Sequence, residues 1–155
     1  MADSSRKTCQ DIQKDDIVQT RTGQARVVCV VKTPCETATL VKYGTLLVTT
    51  WHPVMVNGRW TFPNDLGEAG EYPCSAVYSF LLEPGFQDMY IEDVPCITLA
   101  HGIEDDEVAT HPFYGTQAVV SALQDHSGFD TGLVTVQGVK RDTDTNLVNG
   151  FIFEV

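Results

Sequence analysis

Between Arg26 and Val31 the sequence reads Arg-Val-Val-Cys-Val-Val. Four β-branched side chains crowd around one small thiol. Such side chains are stiff at χ1 and suit a pleated surface better than a helix. The run shows no polar alternation, so it predicts a strand over residues 25–33 that is buried on both faces. Pro34 has no N–H for a ladder and ends it. Cys29 reads as a small core residue.

The flanking stretches carry strand and turn signals in the same style. Residues 11–20 read as a turn feeding a strand, and Thr22-Gly23 as the next turn. A strand is expected over residues 37–42, and Tyr43-Gly44 turns into another over residues 46–50. Asn57-Gly58 lies between two apolar runs, and this pair accepts the positive φ values of a type I′ hairpin turn. Residues 64–73, rich in Gly, Pro and acids, are expected to form a loop. Residues 76–83 read as a strand closed by Pro84-Gly85, and a hairpin-like pair turns at Glu92-Asp93, with strands over residues 89–91 and 96–100.

Beyond residue 115 the pattern changes. Residues 116–124 are the best helix candidate, with Thr116 as N-cap and Val119, Val120 and Leu123 on one face. Residues 132–139 and 147–155 read as two strands around a polar loop. The expected fold class is mostly β: one domain over residues 1–155, with a β body over 1–115 and a C-terminal helix-plus-strand extension over 116–155. The extension is too short to build a core alone.

At 155 residues and 43% hydrophobic, the chain is long and apolar enough for a real core. Its net charge of −11 excludes nucleic acid and anionic lipid as expected partners, because both attract basic surfaces. No apolar stretch approaches a membrane span, so no membrane partner is expected. Residues 1–7 are polar and lack a signal-peptide h-region, which predicts a cytoplasmic setting with reduced thiols. The five cysteines are scattered with no Cys-x-x-Cys pair. A metal site from His52, His101, His111, Cys74 or Cys96 lacks ligand spacing, so no metal and no cofactor is expected. Glu104-Asp105-Asp106-Glu107 reads as a solvated loop, since it lacks the alternating ligands and glycine of a calcium loop. His126 is expected to be exposed, and Trp51 and Trp60 to serve core or hairpin packing.

Chemistry concentrates at Thr49-Thr50-Trp51-His52-Pro53. Pro53 must lie at or near a strand end, and a strand end is a rigid place to hang polar groups. Thr49 and His52 would present a hydroxyl and an imidazole within reach of one substrate atom. The alternative for the tetrapeptide alone is a turn with a solvated histidine.

Five stretches taken in order resemble the hedgehog/intein (Hint) fold. They are similar to the Vint type, known from eukaryotic proteins that also carry von Willebrand A and often U-box domains. These stretches are Met1-Ala2-Asp3-Ser4-Ser5 with residues 11–16, then Val48-Thr49-Thr50-Trp51-His52-Pro53-Val54 with Trp60-Thr61-Phe62-Pro63. Residues 77–85 follow, then Cys96-Ile97-Thr98-Leu99-Ala100-His101-Gly102, and then His111-Pro112-Phe113-Tyr114-Gly115-Thr116. The resemblance implies a curved Hint-type β body and an autoprocessing lineage. A cysteine attacks the preceding carbonyl, and the amide becomes a thioester (an N–S acyl shift). The substrate is the domain's own upstream polypeptide. By resemblance Thr49 supplies the hydroxyl, His52 the imidazole that protonates the leaving amide, and His101 the histidine that assists C-terminal chemistry.

Departures accompany the matches. In the family the nucleophilic cysteine opens a strand upstream of the Met-Ala-Asp-like stretch. The sequence opens at Met1, so the resemblance implies that this nucleophile is missing. Cys9 lies after that position and is no obvious substitute. Ser79 stands where inteins carry Asp, and His101 is followed by Gly102, which has no side-chain amide to cyclise. The expectation is a self-cleaving lineage whose half-site remains, inactive as this chain. The other reading is a non-catalytic β module that binds a protein partner.

Overall fold

The computed structural model describes residues 8–153. The resemblance stretch at residues 1–5 and the last two residues of the predicted final strand lie outside them. Among the described residues, twelve strands form three sheets, and one α-helix packs with them.

The first sheet is built on the β-branched run. β1 (Ile17–Thr20) turns tightly into β2 (Gly23–Pro34), which pairs with it antiparallel from Ile17↔Arg26 to Thr20↔Gly23. Further along, β2 pairs antiparallel with β8 (Ala76–Leu82) and parallel with β11 (Leu133–Arg141). β11 then pairs with β12 (Val148–Phe153). Cys29, Val30 and Val31 are all buried, so both faces of β2 are covered here, as the run of β-branched residues requires. A register shift between Val27 and Cys29 bends the strand against β8.

The second sheet has the order β6-β5-β10-β9, from β5 (Val54–Val56), β6 (Arg59–Thr61), β9 (Asp88–Ile91) and β10 (Val94–Ile97). Both of its hairpins turn on two residues with positive φ. Asn57 and Gly58 have φ of 53° and 79°, and Glu92 and Asp93 have 49° and 64°. These are the signs a type I′ turn demands.

The third sheet runs β4-β3-β7, from β3 (Thr37–Tyr43), β4 (Leu46–Thr49) and β7 (Ala69–Pro73). The β7 strand corrects the expected loop over residues 64–73, of which only the first part, a 3-10 turn at Pro63–Asp65 and the residues after it, is irregular. β7 is an edge strand with no fully buried residue, so it tolerates the Gly70 and Pro73 that argued against a strand. The strand expected over residues 96–100 instead starts two residues earlier and runs Val94–Ile97.

Two of the ladders share one register. Pro34 faces Ala76 between β2 and β8, and Thr37 faces Pro73 between β3 and β7. The corner between them is closed by Cys35 N–H donating to the Ser75 carbonyl and Cys74 N–H donating to the Glu36 carbonyl. A single two-stranded ribbon therefore passes from the first sheet into the third, turning at Cys35 and Cys74.

The helix α1 (Gln117–Gln124) starts where Thr116 accepts the Ala118 N–H, the N-cap the sequence predicts. Val119 and Leu123 are fully buried, while Val120 is half-buried. They join Val134, Val136, Val148 and Phe151 in one cluster with Cys29, Val31, Leu81, Leu99 and Phe113. The C-terminal segment thus shares both a sheet and a core with the strands before it. His126 is half-buried rather than exposed: its Nδ1 accepts the Gly128 N–H, and its ring lies 4.9 Å from that of Phe153.

Candidate functional site

The strand end at Thr49 places the two predicted groups together. Thr49 is the last residue of β4, opposite Leu40 of β3. The chain turns at once, and His52 N–H donates to the Thr49 carbonyl at 3.3 Å. Pro53 then leads into β5, and its carbonyl accepts the Ile97 N–H at 3.0 Å. His52 is held between the end of one sheet and the start of another.

Thr49 and His52 both line a cavity of about 490 Å³ at the meeting of the three sheets. Cys9, Cys74, Tyr78 and Cys96 share its walls. Its surface is largely apolar, from residues such as Leu46, Val48, Phe80 and Met89. Polar groups are few in such a site and therefore decide what it does.

His52 Nε2 lies 2.9 Å from the Ile97 carbonyl oxygen. A carbonyl only accepts, so Nε2 carries the proton and Nδ1 holds a lone pair in the neutral ring. Burial pushes the pKa of His52 below its usual 6.5, and the Ile97 hydrogen bond opposes that shift. The imidazole is therefore neutral at pH 7.

Two of the thiols on the cavity wall, Cys9 and Cys96, are poor nucleophiles. Burial, and then the Glu92 carboxylate, raise the pKa of Cys9. Burial is the main cause that pushes Cys96 up to about 12. Both stay protonated at neutral pH, and a thiol attacks as its thiolate. Cys29, at about 11 chiefly through burial, is a core residue away from the cavity lining.

His101 stands elsewhere. It is buried, its Nδ1 accepts the Ile103 N–H, and its ring is hydrogen-bonded to the Ala109 backbone. It packs beneath Gly115 and does not line the His52 cavity. Burial and then His111 lower its pKa. His111 Nδ1 accepts the N–H groups of Phe113 and Tyr114, so this histidine organises a loop. The acidic stretch is similarly occupied, with Asp106 Oδ1 accepting from Val108 and Ala109. Among the described residues no three His, Cys, Asp or Glu side chains converge as a metal site needs.

Trp60 is buried and stacks beneath Arg21, whose guanidinium carbon is 5.1 Å from the ring centroid. Trp51, in contrast, is 64% exposed and meets Phe62 edge-on at 5.2 Å. Hairpin packing describes one face of Trp51 only. The cavity residue with no role assigned from the sequence is Tyr78, while Cys74, which entered the sequence reading only as a metal-ligand candidate, lines the same cavity. Tyr78 shares one face of β8 with Ala76 and Phe80, a period-2 signal that becomes legible only once the strand's facing side is known.

The model of one protein family, described as Vint, a Hint domain, matches residues 1–150. No curated protein matches the chain. Nearly the whole sequence lies inside that family match, and the mostly-β architecture agrees with it. The chain belongs to the Vint family of Hint domains.

Proposed function

We propose that the Thr49–His52 cavity is the acid–base half of an autoprocessing site that acts on a peptide bond of the domain's own upstream polypeptide. The observation that carries this is the pairing of a hydroxyl with a neutral imidazole in one apolar cavity, with Nε2 fixed on Ile97. Nδ1 can take the proton of an attacking thiol as the sulfur adds to the carbonyl carbon. The Thr49 hydroxyl can donate to the oxyanion formed in that step. The imidazolium then passes its proton to the amide nitrogen, which leaves as an amine while a thioester remains. Positioned proton transfer of this kind contributes roughly 10²–10⁴-fold.

The chain alone does not cleave in this reading. Cys9 and Cys96, which face the cavity, hold their protons. In this reading the substrate brings the nucleophile, in a reducing setting such as the cytoplasm. A fusion that places a cysteine-bearing strand before residue 1 tests the assignment on a gel in excess thiol. Cleavage is expected with His52 present and is expected to fall at least about 100-fold in His52→Ala. Equal cleavage by the variant removes His52 from the mechanism. A second reading, a β module that docks a protein partner, rests on the exposed Trp51 beside His52. A folded fusion that never cleaves favours that module.

A further inference from the structure

Cys35 and Cys74 are 39 residues apart in sequence, yet their Sγ atoms are 2.9 Å apart. Both are free thiols and both are half-buried. They occupy diagonal positions at the corner where the two-stranded ribbon turns from the first sheet into the third. The backbone already fixes this corner, through Cys35 N–H to Ser75 at 3.0 Å and Cys74 N–H to Glu36 at 3.1 Å. Cys35 Sγ also lies 3.6 Å from the Cys74 carbonyl. Bonded sulfurs lie about 2.0 Å apart, so small side-chain adjustments bring the pair together with the backbone left in place. Nothing in the proposed cleavage chemistry uses Cys35.

We propose that Cys35 and Cys74 form a reversible disulfide that fastens the corner of the ribbon, with a low-molecular-weight disulfide such as oxidised glutathione as the oxidant. The Cys74 thiolate attacks one sulfur of the oxidant and expels one small thiolate. Cys35 then attacks the Cys74 sulfur of the mixed disulfide, loses its proton and expels the second small thiolate. Two protein thiols are oxidised, one small disulfide is reduced, and the two released thiolates take up the two protons. The Cys74 contact and burial hold the Cys35 thiol up at about 11. Cys74 and Ser75 line the His52 cavity and Cys35 does not, so the bridge ties one wall of that cavity to the strand corner behind it. Such a bond closes a long loop of the unfolded chain, the situation in which crosslinks constrain most.

The test uses the whole protein equilibrated in graded ratios of oxidised to reduced glutathione. Intact mass is expected to fall by two hydrogens, and peptide mapping to join the Cys35 and Cys74 peptides. The bridged protein is expected to melt on the order of 10 °C higher, reverting with dithiothreitol. Cys35→Ser and Cys74→Ser should each abolish the mass loss and the shift, while Cys9→Ser leaves both intact. A glutathione adduct that persists on Cys74 overturns the proposal. So does a bridge mapped to any other pair, or a bridged protein with an unchanged Tm. The peptide map is made on the unmutated chain, so it decides the pairing even if a variant fails to fold.

Discussion

His52 and His101 both satisfy the local pattern of a polar residue beside a strand end, but the fold uses them differently. His52 spends one ring nitrogen on Ile97 and turns its ring toward a cavity, whereas His101 engages the backbone at Ile103 and Ala109. Both, with His111, are held below the usual imidazole value of 6.5, burial being the leading cause for each. The consequence for stability has a definite sign. An unfolded histidine takes up its proton as the pH falls past about 6.5, while the folded one still resists it. The unfolded state then binds more protons, so stability is full above pH 6.5 and is lost as the pH drops through the lower folded values. Thermal melts between pH 7.5 and 5 are expected to show Tm falling on the acid side. His52→Gln, which cannot titrate, should flatten part of that fall. An acid limb unchanged in the variant would show that His52 titrates alike in both states. Gly115 tests the role of His101. A Cβ there would sit 2.7 Å from His101 Cε1 and 2.9 Å from the His111 carbonyl oxygen. Gly115→Ala is expected to destabilise by about 1–3 kcal/mol through overpacking, measured by urea unfolding. At this scale the Thr49–His52 pair was legible because strand-ending Pro53 follows directly. The setting of His101 was not, because it depends on a glycine fourteen residues away whose closeness no local pattern encodes.

Elements became legible in proportion to how local their determinants are. The strand at Val27–Val31, the Asn57-Gly58 turn and the Thr116 cap are written in neighbouring residues, and all three are present in the fold. β7 is written in its partner: Ala69–Pro73 becomes a strand because β3 offers it a ladder, from Val41↔Ala69 to Thr37↔Pro73. The same non-local logic joins the first two sheets. Asp88 on β9 is 2% exposed, and its carboxylate accepts from Arg21 Nε at 2.7 Å and from the Arg21 backbone N–H at 3.0 Å. The turn between β1 and β2 is thereby tied to β9, with Trp60 of β6 beneath the same guanidinium. Removing Arg21 leaves a buried carboxylate with its backbone partner alone. The Arg21 side chain is 31% exposed, which screens part of the effect. Arg21→Ala is expected to cost about 2 kcal/mol in chemical denaturation, partly recovered in the double variant with Asp88→Asn. If the double variant is as unstable as the sum of the two singles, this contact does not couple the sheets.

For the whole molecule, the decisive contact is the parallel pairing of β2 with β11, Leu133↔Val30 to Thr135↔Lys32. Parallel strands need a long crossover, and here it contains all the intervening strands and α1. Such a pairing leaves almost no trace in sequence, which is why residues 116–155 read as an extension of a β body over 1–115. Physically the segment covers one face of β2. Val119, Leu123, Val134 and Val136 are each at most 1% exposed and pack with Cys29, Val31, Leu81, Leu99 and Phe113. A chain cut after Gly115 would bare that face and leave the ladder edge at Val30–Lys32 unpaired, an invitation to association. Burying a single large aliphatic side chain contributes roughly 1.5–3 kcal/mol, and a typical domain is stable by only about 5–15 kcal/mol. Losing four such side chains together with a ladder removes a margin of that size. The fragment 1–115 is therefore expected to show no cooperative thermal transition, to bind a hydrophobic dye, and to lack the near-ultraviolet circular dichroism of the full chain. Adding residues 116–155 as a separate peptide should restore the transition. A fragment that melts cooperatively near the Tm of the full chain would mean that the packing of residues 116–155 on β2 is dispensable and that the strands before Gly115 hold a core of their own.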